Sequence, residues 1–349
     1  MSEPELYKSE LLRRVAKWLY DEGLEITEIR DRLRIEIGRP KLDTRTVKKM
    51  LKLARSSGVV RIEYPPVLEN QMESQLREIH PHLQKVIVMP DADEYDDLLA
   101  RWGDEAARYF EQLVGEGEAH IGISGGETLL SFVNAVHEHP RKQVHIYTTA
   151  LIGRGELDKE DSHVDPLVNA QMLWSKCGRI PGRCHYATVP PYDGLTREQI
   201  AEELRELSRR QPIREVIERM NDITVAFVGL GLANTPRRER NQITMTGLLR
   251  QIVAPKKLEG EGAVGDLAYC LFDKNGNTRK EWQFFITAGY CNPEHAGIEF
   301  YKQMVRDKKK VVVIAGSFKQ AVILPALNAK LFNVWITDES TAEWVLKQS

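Results

Sequence analysis

The chain has 349 residues, enough for a small module plus a domain of about 260 residues, each able to bury its own core. A formal net charge of −2 and a pI near 6.5 exclude a protein coated in cations for general nucleic-acid binding, so any DNA contact has to come from a local patch. The four cysteines (Cys177, Cys184, Cys270 and Cys291) make no Cys-x-x-Cys pair, the usage expected of reduced thiols, and no apolar run approaches the length of a membrane span. A soluble, cytoplasmic protein without membrane, metal or cofactor is expected. Cys177, Cys184 and His185 lack an evident fourth ligand for a metal site.

From Ser9 to Gly23, Leu11, Leu12, Val15 and Leu19 recur at helical spacing and Gly23 stops the helix. A second short helix is predicted from Ile26 to Leu33. After the turn Gly38-Arg39-Pro40-Lys41, Asp43 is placed to cap a helix from Thr44 to about Ser56. That third helix has two faces. Val47, Met50, Leu51 and Ala54 form an apolar stripe, and Arg45, Lys48, Lys49 and Lys52 a basic one with no acidic residue between them. Val59 to Tyr64 reads as a short strand or wing.

Pro65-Pro66 marks a boundary, because proline continues neither strand nor helix. The predicted organisation is a helix-turn-helix domain over 1–64, a linker helix within 65–84 and an effector domain over 85–349. In the last region apolar strands alternate with amphipathic helices. Strands are predicted at Lys85–Met89, Ala119–Ile123, Val144–Tyr147, Tyr186–Val189, Ile223–Val228, Val311–Ala315 and Asn333–Ile336. Helices are predicted at Tyr95–Val114, Leu129–Val136, about Thr196–Met220, Phe318–Ala329 and Ser340–Lys347. Such alternation implies an α/β fold with a Rossmann-like, mostly parallel sheet and helices on both faces.

Two strand-to-helix turns have the composition of anion sites. In Ser124-Gly125-Gly126-Glu127-Thr128 the glycines let backbone approach a ligand, Ser124 and Thr128 offer hydroxyls, and Glu127 suits sugar hydroxyls. In Gly316-Ser317-Phe318-Lys319, Ser317 and the amides would meet an anion and Lys319 would supply charge. Asp266, in Gly262-Ala-Val-Gly-Asp266 at the start of a strand, could accept from sugar hydroxyls or cap its own turn. Gly229-Leu230-Gly231 lacks the full G-x-G-x-x-G of a dinucleotide site. On the basic helix, Arg45 and Thr46 are placed for base edges, with Thr44 beside them at the helix start. Lys48, Lys49, Lys52 and Arg55 are placed for bases or phosphates, in the manner of a recognition helix.

These segments resemble the SorC family of sugar-binding transcriptional regulators over nearly the whole chain. The most specific stretches are Gly262 to Gly276 (GAVGDLAYCLFDKNG) and Val311 to Leu346, with Ala-Gly-Ser-Phe-Lys and Ile-Thr-Asp-Glu-Ser-Thr-Ala. Ala106-Ala-Arg-Tyr109 leading into Ile121-Gly-Ile-Ser-Gly-Gly-Glu-Thr-Leu129 supports them. Val15 to Gly23, Glu28-Ile29 and Val47 to Val60 look like the family's helix-turn-helix. The resemblance implies an effector domain related to sugar-phosphate isomerases and deaminases that binds a phosphorylated sugar, in a homo-oligomer, dimer or tetramer, whose grip on operator DNA the ligand alters. Gly229 enters the effector set with the residues of the two turns and Asp266. The chain departs from the pattern in having Gly125 where a bulky aromatic is common, Arg30 where a small residue is usual, and about seven extra residues at Arg34–Pro40.

The expected function is therefore that of a regulator and not an enzyme. Val228-Gly-Leu-Gly-Leu-Ala-Asn-Thr lacks the Asp-Gly-His that the deaminases carry there, which weighs against a sugar-phosphate isomerase or deaminase. A third reading is a sensor whose helix-turn-helix no longer binds DNA.

Overall fold

A computed structural model of the chain describes residues 9–56, 71–92, 94–115, 117–152, 165–190, 194–233, 255–290, 296–317 and 319–348. The expected wing at Val59–Tyr64, the Pro65-Pro66 pair, Phe318 and Cys291 lie outside these residues, and so does the Arg55 side chain. The chain divides into two compact units, Met1–Leu68 and Glu69–Ser349.

The first unit contains α1 (Ser9–Tyr20), α2 (Ile26–Glu36) and α3 (Thr44–Ser56). Their apolar stripes meet in one core of Leu12, Val15, Trp18, Ile29, Leu33, Val47, Met50 and Leu51, completed by Leu42 from the α2–α3 turn. The extra residues are absorbed in two ways. Helix α2 runs on to Glu36, and Gly38, at φ +67°, ends it with the Arg39 amide donating to the Arg34 carbonyl at 3.1 Å. The Arg34 Nε then donates to the Leu42 carbonyl at 2.9 Å, which seats Leu42 in the core. Arg30 sits half-buried, its guanidinium held by two 2.8 Å hydrogen bonds to Asp31.

The second unit is built on a seven-stranded sheet in which every pairing is parallel. Its strands are β1 (Lys85–Met89), β2 (Ala119–Ile123), β3 (Val144–Thr148), β5 (Cys184–His185), β6 (Val225–Val228), β11 (Lys310–Ile314) and β12 (Val334–Asp338), in the spatial order β1-β12-β11-β6-β2-β3-β5. Buried on both sides, these strands are continuous apolar runs whose side chains alternate between two cores. Ile121, Ile123, Val225, Phe227, Val312 and Ile314 face α5 (Tyr95–Val114), α6 (Glu127–Ala135) and α7 (Pro166–Lys176). Ala226, Val228, Val311, Val313 and Trp335 belong to the larger opposite core. Helices α8 (Arg197–Arg209), α9 (Gln211–Arg219), α10 (Pro255–Gly260), α11 (Ile298–Arg306), α12 (Gln320–Asn328) and α13 (Glu339–Gln348) contribute to that core. Gly103 of α5 lies so close to α6 that a Cβ there would stand 2.7 Å from Ser131 backbone.

Helix α4 (Gln71–Ile79), within the stretch read as a linker, packs on β1 and α13. Its buried Glu73 accepts the Val88 amide at 2.9 Å, satisfying a donor on the open side of the edge strand β1. Three further differences from the sequence reading concern element assignment. The strand expected at Tyr186–Val189 is instead Cys184–His185, since it is Ile146 and Tyr147 of β3 that the segment pairs with. Helices α7 and α11 were not anticipated. An antiparallel sheet of β7 (Leu230–Leu232), β8 (Ala263–Leu267) and β9 (Cys270–Asp273) covers α12, and β4 (Ala150–Leu151) pairs with β10 (Ile286–Thr287).

Candidate functional site

Strand order reverses between β2 and β6: from β2 the chain proceeds outward to β3 and β5, and from β6 the other way to β11 and β12. Ligands of open parallel sheets bind outside the carboxyl ends of the strands at such a point. Ser124 follows β2 and Gly229 follows β6, so two residues singled out in the sequence meet there. The Gly229 amide donates to Ser124 Oγ at 3.2 Å, and the Ser124 amide to the Phe227 carbonyl at 3.1 Å. Ser124 is buried, and its hydroxyl also reaches the Gly125 carbonyl at 3.3 Å. The Ser124 hydroxyl thus shapes the turn that the sequence had it lend to an anion.

Gly126 caps α6 at φ +111° and ψ 154°, a conformation open to glycine and costly for other residues. Glu127 and the buried Thr128 begin the helix. Next but one in the sheet, β11 ends at Ile314 and α12 starts after Lys319. Both helix N-termini therefore open at the carboxyl edge of the sheet, where their amides and dipoles favour an anion. Gly316 lies against the buried Asp338, to which the Ser317 amide donates at 2.8 Å. Asp338 also accepts the Thr341 amide and the Ser340 hydroxyl, both at 2.9 Å, so it ties the β11 turn to the start of α13. The Ser317 amide, like the Ser124 hydroxyl, is committed to the scaffold.

The β8–β9 hairpin brings Asp266 to this edge from the middle of β8, where it pairs with Gly231 and Leu271 rather than opening the strand. Burial lifts its carboxyl to about 6, against the pull of the Tyr269 amide, which donates to Asp266 Oδ2 at 3.0 Å, and of Lys319. Burial lowers the pKa of Lys319, and the negative charges of Asp266 and then Glu127 oppose that shift. Gly265 passes so close to α12 that a Cβ would stand 2.2 Å from Val322 Cγ2.

Four residues of this region had no signal in the sequence reading. Ala268 and Tyr269 form the two-residue turn of the hairpin with φ of 48° and 68°, a combination that fits a type I′ turn, for which asparagine and glycine are usual. The buried Tyr269 interacts with the Gly125 backbone and has its hydroxyl raised by burial, Asp165 and Asp266. Asp165 caps α7 by accepting the Leu167 amide at 2.7 Å. Asn169, one turn later, donates to the Ser124 carbonyl at 3.0 Å, and its Oδ1 has no hydrogen-bond partner among the described residues.

In the first unit, Asp43 caps α3 as expected, accepting the Thr46 amide at 2.8 Å and the Thr46 hydroxyl at 2.7 Å. Thr46 thus spends its donor on the cap. Arg45, Lys48, Lys49 and Lys52 are exposed along one face of α3, Thr44 is half-buried, and Val47, Met50 and Leu51 turn into the core. Cys177 and Cys184 share the α7 face of the sheet, while His185, the next residue on β5, stacks on Tyr147 of the other face, so the three do not converge.

The family model "Putative sugar-binding domain" matches residues 64–347. This chain belongs to that family, and it is similar to transcriptional regulators of the SorC type. The deoxyribonucleoside regulator of Bacillus subtilis (strain 168) is 23% identical over 341 residues, covering 96% of either chain. The transcriptional regulator LsrR of Enterobacter sp. (strain 638) is 25% identical over 347 residues, covering 98% of this chain and 94% of its own. Among solved structures, the full-length sorbitol operon regulator SorC from Klebsiella pneumoniae superposes with a TM-score of 0.62 at 20% identity, over 97% of this chain and 99% of its own. The similarity to SorC-type regulators therefore includes the first unit as well as the sugar-binding region. No helix among the described residues is long and apolar enough to cross a membrane.

Proposed function

We propose that the protein is a DNA-binding transcriptional regulator whose second unit takes a phosphorylated sugar, the ligand altering a dimeric or tetrameric assembly and its affinity for operator DNA. The observation that carries this reading is that α6 and α12 both begin at the carboxyl edge of the sheet, with Lys319 at the start of α12 and the charges of Asp266 and Glu127 acting on it. Helix N-termini and an ammonium suit a phosphate, and flanking carboxylates suit sugar hydroxyls. Gly126 and Thr128 belong to the phosphate end of the site, Asp266 and Glu127 to the sugar end, and Ser124, Gly125, Gly229, Gly316 and Ser317 to its frame.

The exposed face Arg45-Lys48-Lys49-Lys52 of α3 is proposed as the DNA contact, with Thr44 and Thr46 at the helix start near base edges. The intact core and cap of the first unit favour DNA binding over a degenerate module. Regulation is favoured over catalysis because relatives of full length are named as regulators and because β6 is followed by Gly229-Leu-Gly-Leu without Asp-Gly-His. In this scheme the effector's preference for one quaternary state sets how far DNA binding shifts.

The experiment is a thermal-shift screen of the full chain against sugar phosphates, each paired with its unphosphorylated sugar. A rise in Tm with a phosphorylated member alone is expected, after which that compound is tested for its effect on binding to the protein's own upstream DNA. Stabilisation by the free sugar to the same extent would remove the phosphate from the scheme.

A further inference from the structure

Toward the opposite end of the sheet, β2, β3 and β5 bring three histidines to one face. The parallel register sets His120 beside His145 and Tyr147 beside His185. The rings form a stacked row, His120 on His145 at 4.7 Å between centroids and Tyr147 on His185 at 4.6 Å. Glu118, just before β2, places Oε1 3.2 Å from His145 Nε2. One ligand atom from each of Glu118, His120 and His145 lies within 4.8 Å of the other two.

We propose that Glu118, His120 and His145 form a binding site for a divalent transition-metal ion of the zinc class. Two imidazoles and a carboxylate, with a position left for water, form a recurrent donor set for this class of ion. Ligand atoms about 2.0–2.1 Å from a tetrahedral ion stand roughly 3.4 Å apart, so the Glu118–His145 pair is already at the required spacing. His120, on the neighbouring strand, has a ring nitrogen within 4.8 Å of both.

The surroundings select the ligating nitrogens. His145 Nδ1 lies 3.3 Å from His185 Nε2, and His120 Nδ1 lies 2.7 Å from the Tyr147 hydroxyl. With both Nδ1 atoms donating, each Nε2 lone pair is left for the ion, the arrangement by which outer partners orient ligating histidines. Arg183 Nη1, 3.4 Å from Glu118 Oε1, helps to hold the carboxylate in place.

The site is distinct from the proposed effector site. His120 and Ser124 are four residues apart along one strand, about 13 Å at 3.3 Å per residue. An ion here would fasten β2 to its neighbour β3, independently of any sugar ligand.

The test is titration of chelator-stripped full-length protein with ZnCl2 by calorimetry and with CoCl2 by visible absorption. One ion per chain is expected. His145→Ala should remove binding, Glu118→Gln should weaken it at least tenfold, and Tyr147→Phe should weaken it about 10–100-fold through the lost outer hydrogen bond. His137→Ala, altering a separate histidine–glutamate pair, should leave it unchanged. Glu118 has a side chain 60% exposed, so its substitution leaves the fold intact and keeps the test decisive if a histidine variant fails to fold. No binding by the wild type, or equal affinity and stoichiometry in Glu118→Gln, would overturn the proposal.

Discussion

The Gly229 amide donates to Ser124 Oγ at 3.2 Å across the point where strand order reverses. This single side chain joins the turn after β2 to the turn after β6, and so sets the floor on which the α6 amides, Lys319 and Asp266 are arranged. Ser124→Ala removes the acceptor while the Gly229 amide stays partly buried. A loss of about 1–3 kcal/mol is expected from the unsatisfied donor. Urea unfolding should show it as a lower midpoint at unchanged m-value.

Gly316 is required by its neighbours rather than by its backbone angles. A Cβ there would stand 1.7 Å from Asp338 Oδ2 and 2.5 Å from Trp102 Cζ2. Gly316→Ala should therefore cost more than about 3 kcal/mol, because a buried carboxylate and a buried indole cannot both retreat. Near-wild-type melting would show that the β11 turn is looser than described.

Asp266 makes stability depend on pH. Its folded pKa of about 6 exceeds the 3.8 of an unperturbed carboxyl, so the folded chain holds the proton more tightly. The resulting contribution is complete below about pH 4 and is lost as pH rises through 6. The stability of the wild type relative to Asp266→Asn should improve by about 2–3 kcal/mol on going from pH 7 to pH 4. Denaturant melts at several pH values measure it, and a pH-independent difference would show an ordinary carboxyl.

Lys319→Ala should abolish thermal stabilisation by the cognate sugar phosphate and leave DNA binding by the ligand-free protein intact. Retained stabilisation would move the phosphate elsewhere on the carboxyl edge of the sheet.

Lys48→Ala with Lys49→Ala should weaken DNA binding and flatten its salt dependence by about two phosphate contacts, a change of roughly 1.8 in the log–log slope. An unchanged slope would take these lysines off the DNA.

Much of the architecture was legible because its signals are local. The Asp43 cap, the two faces of α3 and the runs at Lys85–Met89 and Val311–Ile314 are written in residues within a turn or a strand of one another. The α7 and α11 helices carry weaker or shorter patterns between loops, and β5 is only two residues long, its place set by its partner β3. At the candidate site, the turn glycines, Lys319 and Asp266 were visible as residue types, but the roles of Ser124 and Ser317 were not. A hydroxyl or an amide is claimed by whichever acceptor or donor the fold brings nearest, and here those are Gly229 and Asp338, each more than twenty residues away.

The sequence by itself determined the parallel α/β class, the capped basic helix and the two glycine turns, since periodicity and capping act between residues a few positions apart. Only the tertiary structure decided that Tyr269 occupies a strained hairpin turn beside Asp266. It alone set Asn169 under Ser124, and His120 beside His145. Those relationships come from strand order and register, which depend on how distant segments bury their apolar faces together and leave no mark in any short stretch of chain.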